Sequence, residues 1–256
     1  MNRIRMESLK NKVALVTGSS QGIGREIAEA LAREECRVAV VCANHLEKAE
    51  EVAERIRKQG GIAFAERCDV SEEEEVRDLF RKLKEKEGGV DILVNNARLD
   101  PWKRKTEMSE GEWFDRVLGV NLKGAFLCSR ELFEQAKEKK WGRIVNISSV
   151  RAFRPAEPDM IAYGISKAGM HVLTRTWAQN GAPYGITANT VAPGMVVTEN
   201  IHLRLTPEKY REESSAIPLG RGASCEEIAD AVLFVLKNGY VTGETINING
   251  GMYYAP

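Results

Sequence analysis

The sequence has no excess of charge of either sign and no long hydrophobic run. Its 37 lysine and arginine residues balance 37 aspartate and glutamate residues, which gives a formal net charge of zero. Nucleic-acid-binding proteins and polybasic membrane proteins need an excess of positive charge, so we expect neither nucleic acid nor a membrane as a partner. No apolar run approaches the ~20 residues of a membrane-spanning helix, and the N-terminus lacks the apolar segment of a secretory signal.

Cysteine and histidine are few, and neither is arranged to bind a metal. The cysteines include no C-x-x-C pair, so the sequence carries no sign of a zinc ribbon or a redox dithiol. An odd number of thiols is typical of a reducing compartment, and we therefore expect a cytoplasmic protein. The histidines are far apart in sequence, and we predict no metal site. These residues are Cys36, Cys42, Cys68, Cys128 and Cys225, with His45, His171 and His202.

The remaining composition is that of a globular chain. Its 256 residues, 43% of them hydrophobic and 29% charged, suffice to bury a substantial core. The sequence contains no internal repeat, no low-complexity segment and no linker rich in proline and serine. We therefore predict a single domain over residues 1–256.

Short β-branched runs alternate with longer amphipathic stretches along the chain. This alternation predicts an α/β fold, a doubly wound (Rossmann) parallel sheet of about seven strands with helices on both faces. The strand candidates are nearly continuous apolar runs, as expected when helices cover both faces of a sheet. They are Val13–Val16, Val38–Val41, Ile62–Ala65, Ile92–Val94, Ile144–Ile147, Thr187–Val191 and Thr245–Ile248.

Several sequence signals mark helix starts and loops. A serine or asparagine followed three residues later by glutamate predicts a capping box at the start of a helix. Three segments with weak patterning, Arg98–Thr106, Arg151–Pro158 and Met195–Pro218, are predicted to be loops around a site. The predicted capping boxes are Asn44 with Glu47, Ser71 with Glu74, and Ser109 with Glu112.

A glycine-rich segment connects the first predicted strand to the first predicted helix. Residues 17–24 read T-G-S-S-Q-G-I-G, with the spacing G-x-x-x-G-x-G. Glycines let the backbone turn tightly and approach a phosphate, while the helix N-terminus supplies free N–H groups and the positive end of its dipole. A glycine cluster alone is also compatible with a plain tight turn. Its position between strand and helix favours a nucleotide-binding loop.

Polar motifs follow the next strands. Asp69, after the third strand, is placed either to accept a hydrogen bond from an adenine amino group or to cap a helix. Asn95-Asn96-Ala97 follows the fourth strand, where the amides either face the ligand crevice or form a turn. Asn121 lies in an apparently helical stretch, where a polar residue is unremarkable.

Tyr163 and Lys167 are four residues apart, so one helix face brings the ammonium near the phenol. A phenol has a pKa of about 10 and is a poor base at neutral pH, whereas a nearby cation favours the phenolate. Ser148-Ser149 ends the preceding strand 14 to 15 residues upstream. A hydroxyl there can polarise a carbonyl while the tyrosine moves the proton. The Y-x-x-x-K spacing alone arises readily by chance, and the serines give it weight.

With these motifs in order, the sequence resembles the short-chain dehydrogenase/reductase family over essentially its whole length. Within that family it is most similar to the 3-oxoacyl-acyl-carrier-protein reductases. The motifs that carry the resemblance are Thr17–Gly24, Asp69, Asn95-Asn96-Ala97, Asn121, Ile147-Ser148-Ser149, Tyr163 with Lys167, Pro193-Gly194 with Thr198, Pro218-Leu219-Gly220-Arg221 and Tyr240–Glu244.

The resemblance implies an oxidoreductase that transfers a hydride between NADP(H) or NAD(H) and a carbonyl or secondary alcohol, including a 3-oxoacyl thioester. It implies that Tyr163 is the acid/base, that Lys167 lowers its pKa and holds the nicotinamide ribose, and that Ser149 polarises the carbonyl. Asn121 is implied to support a water that links Lys167 to solvent. The resemblance also implies a homotetramer acting on a small-molecule substrate, free or bound to an acyl carrier.

The resemblance assigns further contacts by position. The implied cofactor contacts are Gly18, Ser20, Gln21, Gly22, Ile23, Gly24, Ala43, Asn44, Asp69, Val70, Asn95, Asn96, Ala97, Tyr163, Lys167, Pro193, Gly194, Val196 and Thr198. The implied substrate contacts are Arg98, Ser149, Arg151 and Met195.

Two positions depart from the family pattern. Arg98 stands where a glycine usually follows Asn-Asn-Ala, and Ala152 stands where a glycine often follows the serine pair. Arg98, Arg151 and Arg154 together could form an anion-attracting rim for a carboxylate, a phosphate or an acyl carrier. Solvated arginines on loops are the alternative interpretation.

The sequence after the second strand bears on the cofactor. No carboxylate follows Cys42 to bond a ribose 2′-hydroxyl, so the usual marker of NAD is absent. The usual basic residues of NADP-binding proteins are absent too, because Gln21 and Ala43 occupy those positions. Arg25 and Asn44 could compensate, and we therefore favour NADP(H), with NAD(H) as the alternative.

A second functional interpretation is a catalytically weak dinucleotide-binding sensor or scaffold of the same fold. The bulky Arg98 is the feature that favours it, because a side chain that blocks the entrance for substrate would still allow a cofactor to bind.

Overall fold

The computed structural model describes residues 6–104, 106–154, 157–199, 201 and 205–254. Seven strands form one parallel sheet in the order β3-β2-β1-β4-β5-β6-β7. The strand order reverses between β1 and β4, and doubly wound sheets bind ligands in the crevice at that point. The strands are β1 Val13–Thr17, β2 Arg37–Cys42, β3 Ile62–Arg67, β4 Ile92–Asn95, β5 Gly142–Ile147, β6 Ile186–Pro193 and β7 Thr245–Ile248.

Burial explains why these segments are strands. Every residue of β1, β4, β5 and β6 is buried, because helices exclude water from both faces of the sheet centre. The edge strands β3 and β7 remain partly exposed. All seven predicted strands are confirmed, and β6 extends furthest beyond its predicted bounds.

Helices cover both faces of the sheet, as predicted. Their bounds are α1 Gly22–Arg33, α2 Leu46–Lys58, α3 Glu73–Glu87, α4 Glu110–Leu118, α5 Gly124–Lys139, α6 Ile161–Gly181, α7 Pro207–Ser215 and α8 Cys225–Lys237. On one face α1, α2 and α8 form a core that includes Ile27, Val52 and Val232. On the other face, α3, α5 and α6 contribute to a core that includes Phe80 and Leu132.

One of the three predicted capping boxes is confirmed. Ser109 and Glu112 bond each other's backbone N–H groups at the start of α4. The box predicted at Ser71 is wrong because the Ser71 hydroxyl and N–H both donate to Asp69, and α3 begins only at Glu73. The box predicted at Asn44 is wrong because α2 begins at Leu46, after His45. A fourth box, Ser224 with Glu227, opens α8 and was not predicted.

The loop predictions hold in part. The segment predicted as a loop over Met195–Pro218 contains α7, so the prediction of an unbroken loop is wrong. The Thr206 hydroxyl accepts the Lys209 N–H and Pro207 occupies the first helical turn, a combination that favours a helix start. Among their described residues, the other two segments contain only short 3₁₀ turns. The first contains Pro101–Lys103, and the second overlaps Val150–Ala152 and Pro158–Met160.

The described residues contain no metal-binding cluster of histidine, cysteine, aspartate or glutamate, and His202 lies outside them. None of the helices in the described ranges is both long and apolar enough to span a membrane. All five cysteines are buried and unpaired. Burial raises the pKa of Cys36 and of Cys68 to about 12, so these thiols are protonated and poor nucleophiles.

Candidate active site

The predicted motifs meet at one edge of the sheet, because parallel strands end on the same side. Thr17 ends β1, Asn95 ends β4 and Pro193 ends β6. The first two are joined directly, since Thr17 Oγ1 accepts the N–H groups of Asn96 and Ala97 at 3.0 Å each. The glycine-rich loop and the Asn-Asn-Ala motif therefore form one polar unit.

Gly24 allows the glycine-rich loop to pack on Asn96. A Cβ at residue 24 would lie 2.4 Å from Asn96 Nδ2 and 2.6 Å from the Gly18 carbonyl oxygen. In the native structure Asn96 Nδ2 donates to the carbonyl oxygens of Thr17 and Gly18, at 2.9 Å each. Gly18 itself has a φ of +63°, a conformation that favours glycine. The motif spacing thus serves packing as well as access to a phosphate.

The N-terminus of α1 is arranged to receive an anion. Its first turn carries no acidic residue, and the Gln21 side chain makes no capping bond. The Gly22 N–H donates to Glu199 Oε1 at 2.9 Å, and Arg25 Nη1 lies 3.2 Å from the same oxygen. A carboxylate held on a helix N-terminus marks a position where a phosphate is also stabilised. Because Thr198 lies beside Gly22, the predicted loop residues fit the phosphates of a dinucleotide.

The Arg25–Glu199 pair corrects one prediction and adds a residue. The sequence left Arg25 free to neutralise a 2′-phosphate, but the ion pair already engages its guanidinium. Sequence reasoning missed Glu199 because the contact joins residues 174 positions apart. Two further predicted residues of the glycine-rich segment are the half-buried Ser20 and the buried Ile23.

The end of β2 is where the sequence places the adenosine ribose. Ala43 is half-buried there and Asn44 is exposed. Arg67 lies directly opposite Cys42 in the register of β2 and β3 and pairs with Glu75 at 3.3 Å. Sequence reasoning missed this arginine. The signal that could have found it is the parallel pairing of β2 and β3, which places Arg67 beside the end of β2.

Asp69 caps the turn that precedes α3. Its Oδ1 accepts the Ser71 N–H at 3.0 Å and the Ser71 hydroxyl at 2.7 Å, which agrees with the capping interpretation. Its contact with adenine stays a prediction. The neighbouring Val70 is only 5% exposed and belongs to the core.

Asn121 lies in a π turn over residues 119–123 that joins α4 to α5, rather than in a regular helix. The Gly124 N–H bonds the Gly119 carbonyl oxygen, five residues back. Such π turns recur at functional sites. Asn121 is fully buried, and its Oδ1 accepts the Leu99 N–H at 2.7 Å. Its Nδ2 donates to the Leu99 carbonyl oxygen at 3.3 Å and to Ser166 Oγ at 3.2 Å.

The two serines after β5 have different partners. Ser148 Oγ lies 2.9 Å from the Lys167 carbonyl oxygen and 2.9 Å from His171 Nε2, so its hydroxyl is engaged within the fold. Ser149 forms a side-chain hydrogen bond with Tyr163 and accepts the Arg151 N–H. The geometry therefore places Ser149, and not Ser148, beside the phenol.

Tyr163 and Lys167 face each other on α6, with Lys167 Nζ 5.6 Å from the Tyr163 ring centroid. Burial, followed by repulsion from Arg98, lowers the pKa of the fully buried Lys167 to about 7. Burial raises the pKa of Tyr163, although Arg98 and the Ser149 hydrogen bond oppose that rise. The sequence predicts a lowered phenol pKa with Lys167 as its cause. In the structure, burial outweighs the cations, of which Arg98 is the strongest.

The end of β6 supplies the remaining predicted cofactor contacts. The Gly194 N–H donates to the Ile248 carbonyl oxygen at 2.8 Å, and a Cβ on Gly194 would lie 2.9 Å from Asn249 Cα. Met195 and Val196 follow as half-buried residues, and Val196 pairs with Ala223 in an isolated bridge. This crossing fixes the path of the chain towards Thr198.

The predicted arginine rim is not a continuous anion site in the described residues. Arg98 Nε donates to Asp100 Oδ1 at 2.6 Å, and Arg151 Nη1 donates to Glu157 Oε2 at 3.0 Å. Arg154 is exposed. Each of the first two arginines therefore has its own carboxylate, and of the three arginines Arg98 is the one that affects the pKa values of both Tyr163 and Lys167.

Comparison with known proteins agrees with this geometry. The profile of the short chain dehydrogenase family matches residues 12–208. The chain belongs to this family. A 3-oxoacyl-[acyl-carrier-protein] reductase of Staphylococcus epidermidis is 40% identical over 95% of this chain and 99% of its own length. A reductase of the same name from Aquifex aeolicus is 39% identical over 96% of this chain and 98% of its own length.

Solved structures of the family share the fold. A crystal structure from Agrobacterium tumefaciens, provisionally assigned as a gluconate dehydrogenase, has a TM-score of 0.88 and 33% sequence identity, covering 98% of both chains. As a short-chain dehydrogenase with these relatives, the protein is an NAD(P)-dependent oxidoreductase. The alternative of a non-catalytic sensor or scaffold is not favoured, since the relatives are named as enzymes.

Proposed function

We propose that this short-chain dehydrogenase reduces 3-oxoacyl thioesters with NADPH, on a small or carrier-bound substrate. The observation that carries the proposal is the cluster of Ser149, Tyr163 and Lys167 at the carboxyl edge of the sheet. Relatives named 3-oxoacyl-[acyl-carrier-protein] reductase, at 39–40% identity over nearly the whole chain, support this substrate class.

The chemistry divides among these side chains. A dinucleotide held at this edge of the sheet would supply the hydride for the carbonyl carbon. Tyr163 gives its phenolic proton to the carbonyl oxygen, and Ser149 donates a hydrogen bond that orients this oxygen. Lys167, with its pKa of about 7, is poised to return a proton to the phenolate near neutrality. The buried Asn121 positions this unit, because Ser166 Oγ accepts its amide N–H and donates to the Tyr163 carbonyl oxygen.

The predicted residues at the ends of four strands would hold the dinucleotide. The loop over residues 18–24 and Thr198 would receive its phosphates, while Asp69 and Val70 would contact the adenine. Asn95, Asn96 and Ala97 would lie along its length, and Pro193, Gly194 and Val196 would frame the nicotinamide. Tyr163 and Lys167 would reach the nicotinamide ribose.

NADP(H) is the proposed dinucleotide. No carboxylate at residues 43–44 repels a 2′-phosphate, and Arg67 supplies a cation opposite Cys42. The Arg67 side chain is 56% exposed, so its pairing with Glu75 is weak enough to yield to a phosphate. NAD(H) is the alternative that remains compatible with the family.

A second substrate class is favoured by Arg98. Its charge acts on the reacting phenol, and a relative in the structural comparison is provisionally assigned to gluconate, a hydroxy acid. We therefore propose small oxo acids as the alternative substrates to thioesters.

We also propose the homotetramer that the family resemblance implies and the cytoplasmic location that the sequence predicts. Phe126 on α5 and Ile165 and Val172 on α6 expose 41–59% of their surface, an apolar area that association of copies would cover. Sedimentation analysis tests the assembly: a single species of four chains is expected, and a monomer would contradict it.

Replacement of Tyr163 by phenylalanine tests the proposed reaction. The variant should lose about 100-fold or more of its turnover, because no other group replaces the phenolic proton. Its affinity for NADPH should change by less than about fivefold, since one neutral hydrogen bond is lost. Steady-state reduction of acetoacetyl thioester and fluorescence titration with NADPH and NADH measure both quantities.

Tyr240→Phe is the matched control, because Tyr240 is 99% exposed. It should retain full turnover. Undiminished turnover in Tyr163→Phe would refute the assigned role, and tighter binding of NADH than NADPH would refute the cofactor preference.

A further inference from the structure

Arg98 is held rigidly between two anchored residues. On one side, the Ala97 N–H donates to Thr17 Oγ1 at 3.0 Å. On the other, both the N–H and the carbonyl oxygen of Leu99 bond the Asn121 side chain. The backbone at residue 98 is therefore fixed to the end of β1 and to the π turn.

A hydrogen-bond chain connects this segment to the backbone of Tyr163. Asn121 donates to Ser166 Oγ at 3.2 Å, and the Ser166 hydroxyl donates to the Tyr163 carbonyl oxygen at 2.7 Å. The backbones of Leu99, next to Arg98, and of Tyr163 are thus linked through the side chains of Asn121 and Ser166. The backbone next to Arg98 is therefore held in a fixed position relative to the backbone of Tyr163.

The Arg98 side chain is oriented by Asp100 and retains free donors. Its Nε donates to Asp100 Oδ1 at 2.6 Å, and the Asp100 side chain is only 13% exposed. A guanidinium has five N–H donors, and the Nε edge accounts for one of them. Within the described part of the chain no acceptor bonds the two terminal nitrogens of Arg98, and 31% of this side chain is exposed. The terminal nitrogens are therefore available to a ligand.

The charge of Arg98 is directed at the catalytic cluster. It is the strongest charged influence on both Tyr163 and Lys167, ahead of Asp100. A guanidinium is charged at every pH at which the enzyme works. An oxygen-bearing group next to the reacting carbonyl thus meets a permanent cation with unused donors.

We propose that Arg98 is a specificity-determining residue that binds the C1 oxygen of a 3-oxoacyl substrate, while the C3 oxygen lies at Ser149 and Tyr163. This inference rests on the proposed function and adds to it the recognition of a carboxyl-derived group. The two carbonyl carbons of such a substrate, C1 and C3, are separated by a single carbon. Hydrogen-bond donors on neighbouring side chains therefore bind both oxygens. A glycine, the usual family residue at this position, offers no side-chain donor.

The C1 oxygen can belong to a thioester or to a free carboxylate. Both accept hydrogen bonds, but the carboxylate also gains from the charge, and Arg is suited to planar groups with two oxygens. Substrates that differ only at C1 separate these sources. Acetoacetate carries a carboxylate, acetoacetyl-N-acetylcysteamine carries a thioester, and 2-pentanone carries no C1 oxygen.

The test compares kcat/KM for these three ketones in the wild type and in Arg98→Gln. Relative to 2-pentanone, the variant should lose about 30-fold on acetoacetate and about fivefold on the thioester, the usual effects of losing charged and neutral hydrogen bonds. Arg98 also acts on Tyr163 and Lys167. If its loss impaired the chemical step itself, kcat/KM should fall by the same factor for all three substrates. Such an equal loss, or no loss, would overturn the proposal.

Two further variants keep the test decisive. In Arg98→Gln combined with Asp100→Asn, no buried carboxylate loses its partner, so the double variant should fold and show the same selective loss. Arg77→Gln is the control, because Arg77 is an exposed arginine with its own ion pairs on α3. It should leave all three kcat/KM values unchanged, and a loss there equal to that of Arg98→Gln would count against the proposal.

A binding measurement separates this inference from the proposed function. Acetoacetate is titrated calorimetrically into Tyr163→Phe in the presence of NADPH, with and without Arg98→Gln. The affinity should fall about 30-fold on loss of Arg98. A wild type that reduces none of the three ketones would refute the reductase, while loss of acetoacetate binding would still support Arg98 as its receptor. Unchanged binding would refute the receptor and leave the reductase intact.

Discussion

Replacing Gly24 by alanine should unfold the protein at a lower denaturant concentration and weaken dinucleotide binding. The added Cβ would lie 2.4 Å from Asn96 Nδ2 and 2.6 Å from the Gly18 carbonyl oxygen. The first contact displaces an amide that makes two buried hydrogen bonds, and the second presses on backbone, which cannot rotate away. The substitution therefore acts on the loop and on Asn96 together.

The magnitude follows from three effects. Weakening the two hydrogen bonds of Asn96 destabilises the fold by roughly 2 kcal/mol. Forcing a methyl group into a packed site adds about 1–3 kcal/mol. The better helix propensity of alanine returns about 1 kcal/mol. We expect a net loss of about 3 kcal/mol in the free energy of unfolding, or a fall in Tm of roughly 6–12 °C for a chain of this size.

Gly111→Ala is the matched control. Gly111 also lies in a helix, α4, but no atom lies within 4 Å of its added Cβ. This variant should gain about 0.5–1 kcal/mol from helix propensity alone. Urea unfolding measures both stabilities, and titration with NADPH measures binding. If Gly24→Ala matched Gly111→Ala in stability and retained wild-type affinity, the packing explanation of the motif would be refuted.

Two other predictions concern charge. Glu199→Gln should tighten NADPH binding about fivefold, as measured by fluorescence titration, because it removes an anion from the N–H of Gly22; weaker binding would contradict this. Burial lowers the pKa of His171 from 6.5 to about 4, so between these pH values the unfolded chain binds more protons than the folded one. The free energy of unfolding should therefore fall as pH falls through this window, by roughly 3 kcal/mol in total. Urea unfolding at several pH values measures this loss. The loss should be abolished in His171→Gln but kept in His45→Gln, the control at an exposed histidine. Equal losses in both variants would count against the burial argument.

The sheet and the catalytic cluster could be predicted because their signals are local. The central strands are nearly continuous apolar runs, since burial on both faces of the sheet leaves no alternation of polar and apolar residues. Tyr163 and Lys167 are four residues apart on one helix, and the rule that parallel strands end together brings Ser149 to them. Helix starts were harder, because Ser71 had a competing partner in Asp69 that the capping pattern does not reveal.

The ion pairs of the site could not be predicted from the sequence. The Gly22 N–H donates to Glu199, which is 177 residues away in the chain. Arg67 lies opposite Cys42 only because of the register of the two strands. The pKa of Tyr163 depends on how much water surrounds its hydroxyl, which the spacing of Tyr163 and Lys167 does not determine. Such properties arise from tertiary packing.

The π turn before α5 makes the polar network depend on the number of residues in the chain as well as on their identity. Each residue of a regular helix rotates the next by about 100°, so deleting one residue between Gly119 and Lys123 would turn Asn121 away from Leu99 or from Ser166. The sequence would still contain Asn121, but its side-chain amide could no longer connect Leu99 to Ser166 on α6. A deletion of a single codon in this turn is therefore expected to be more harmful than many substitutions within it.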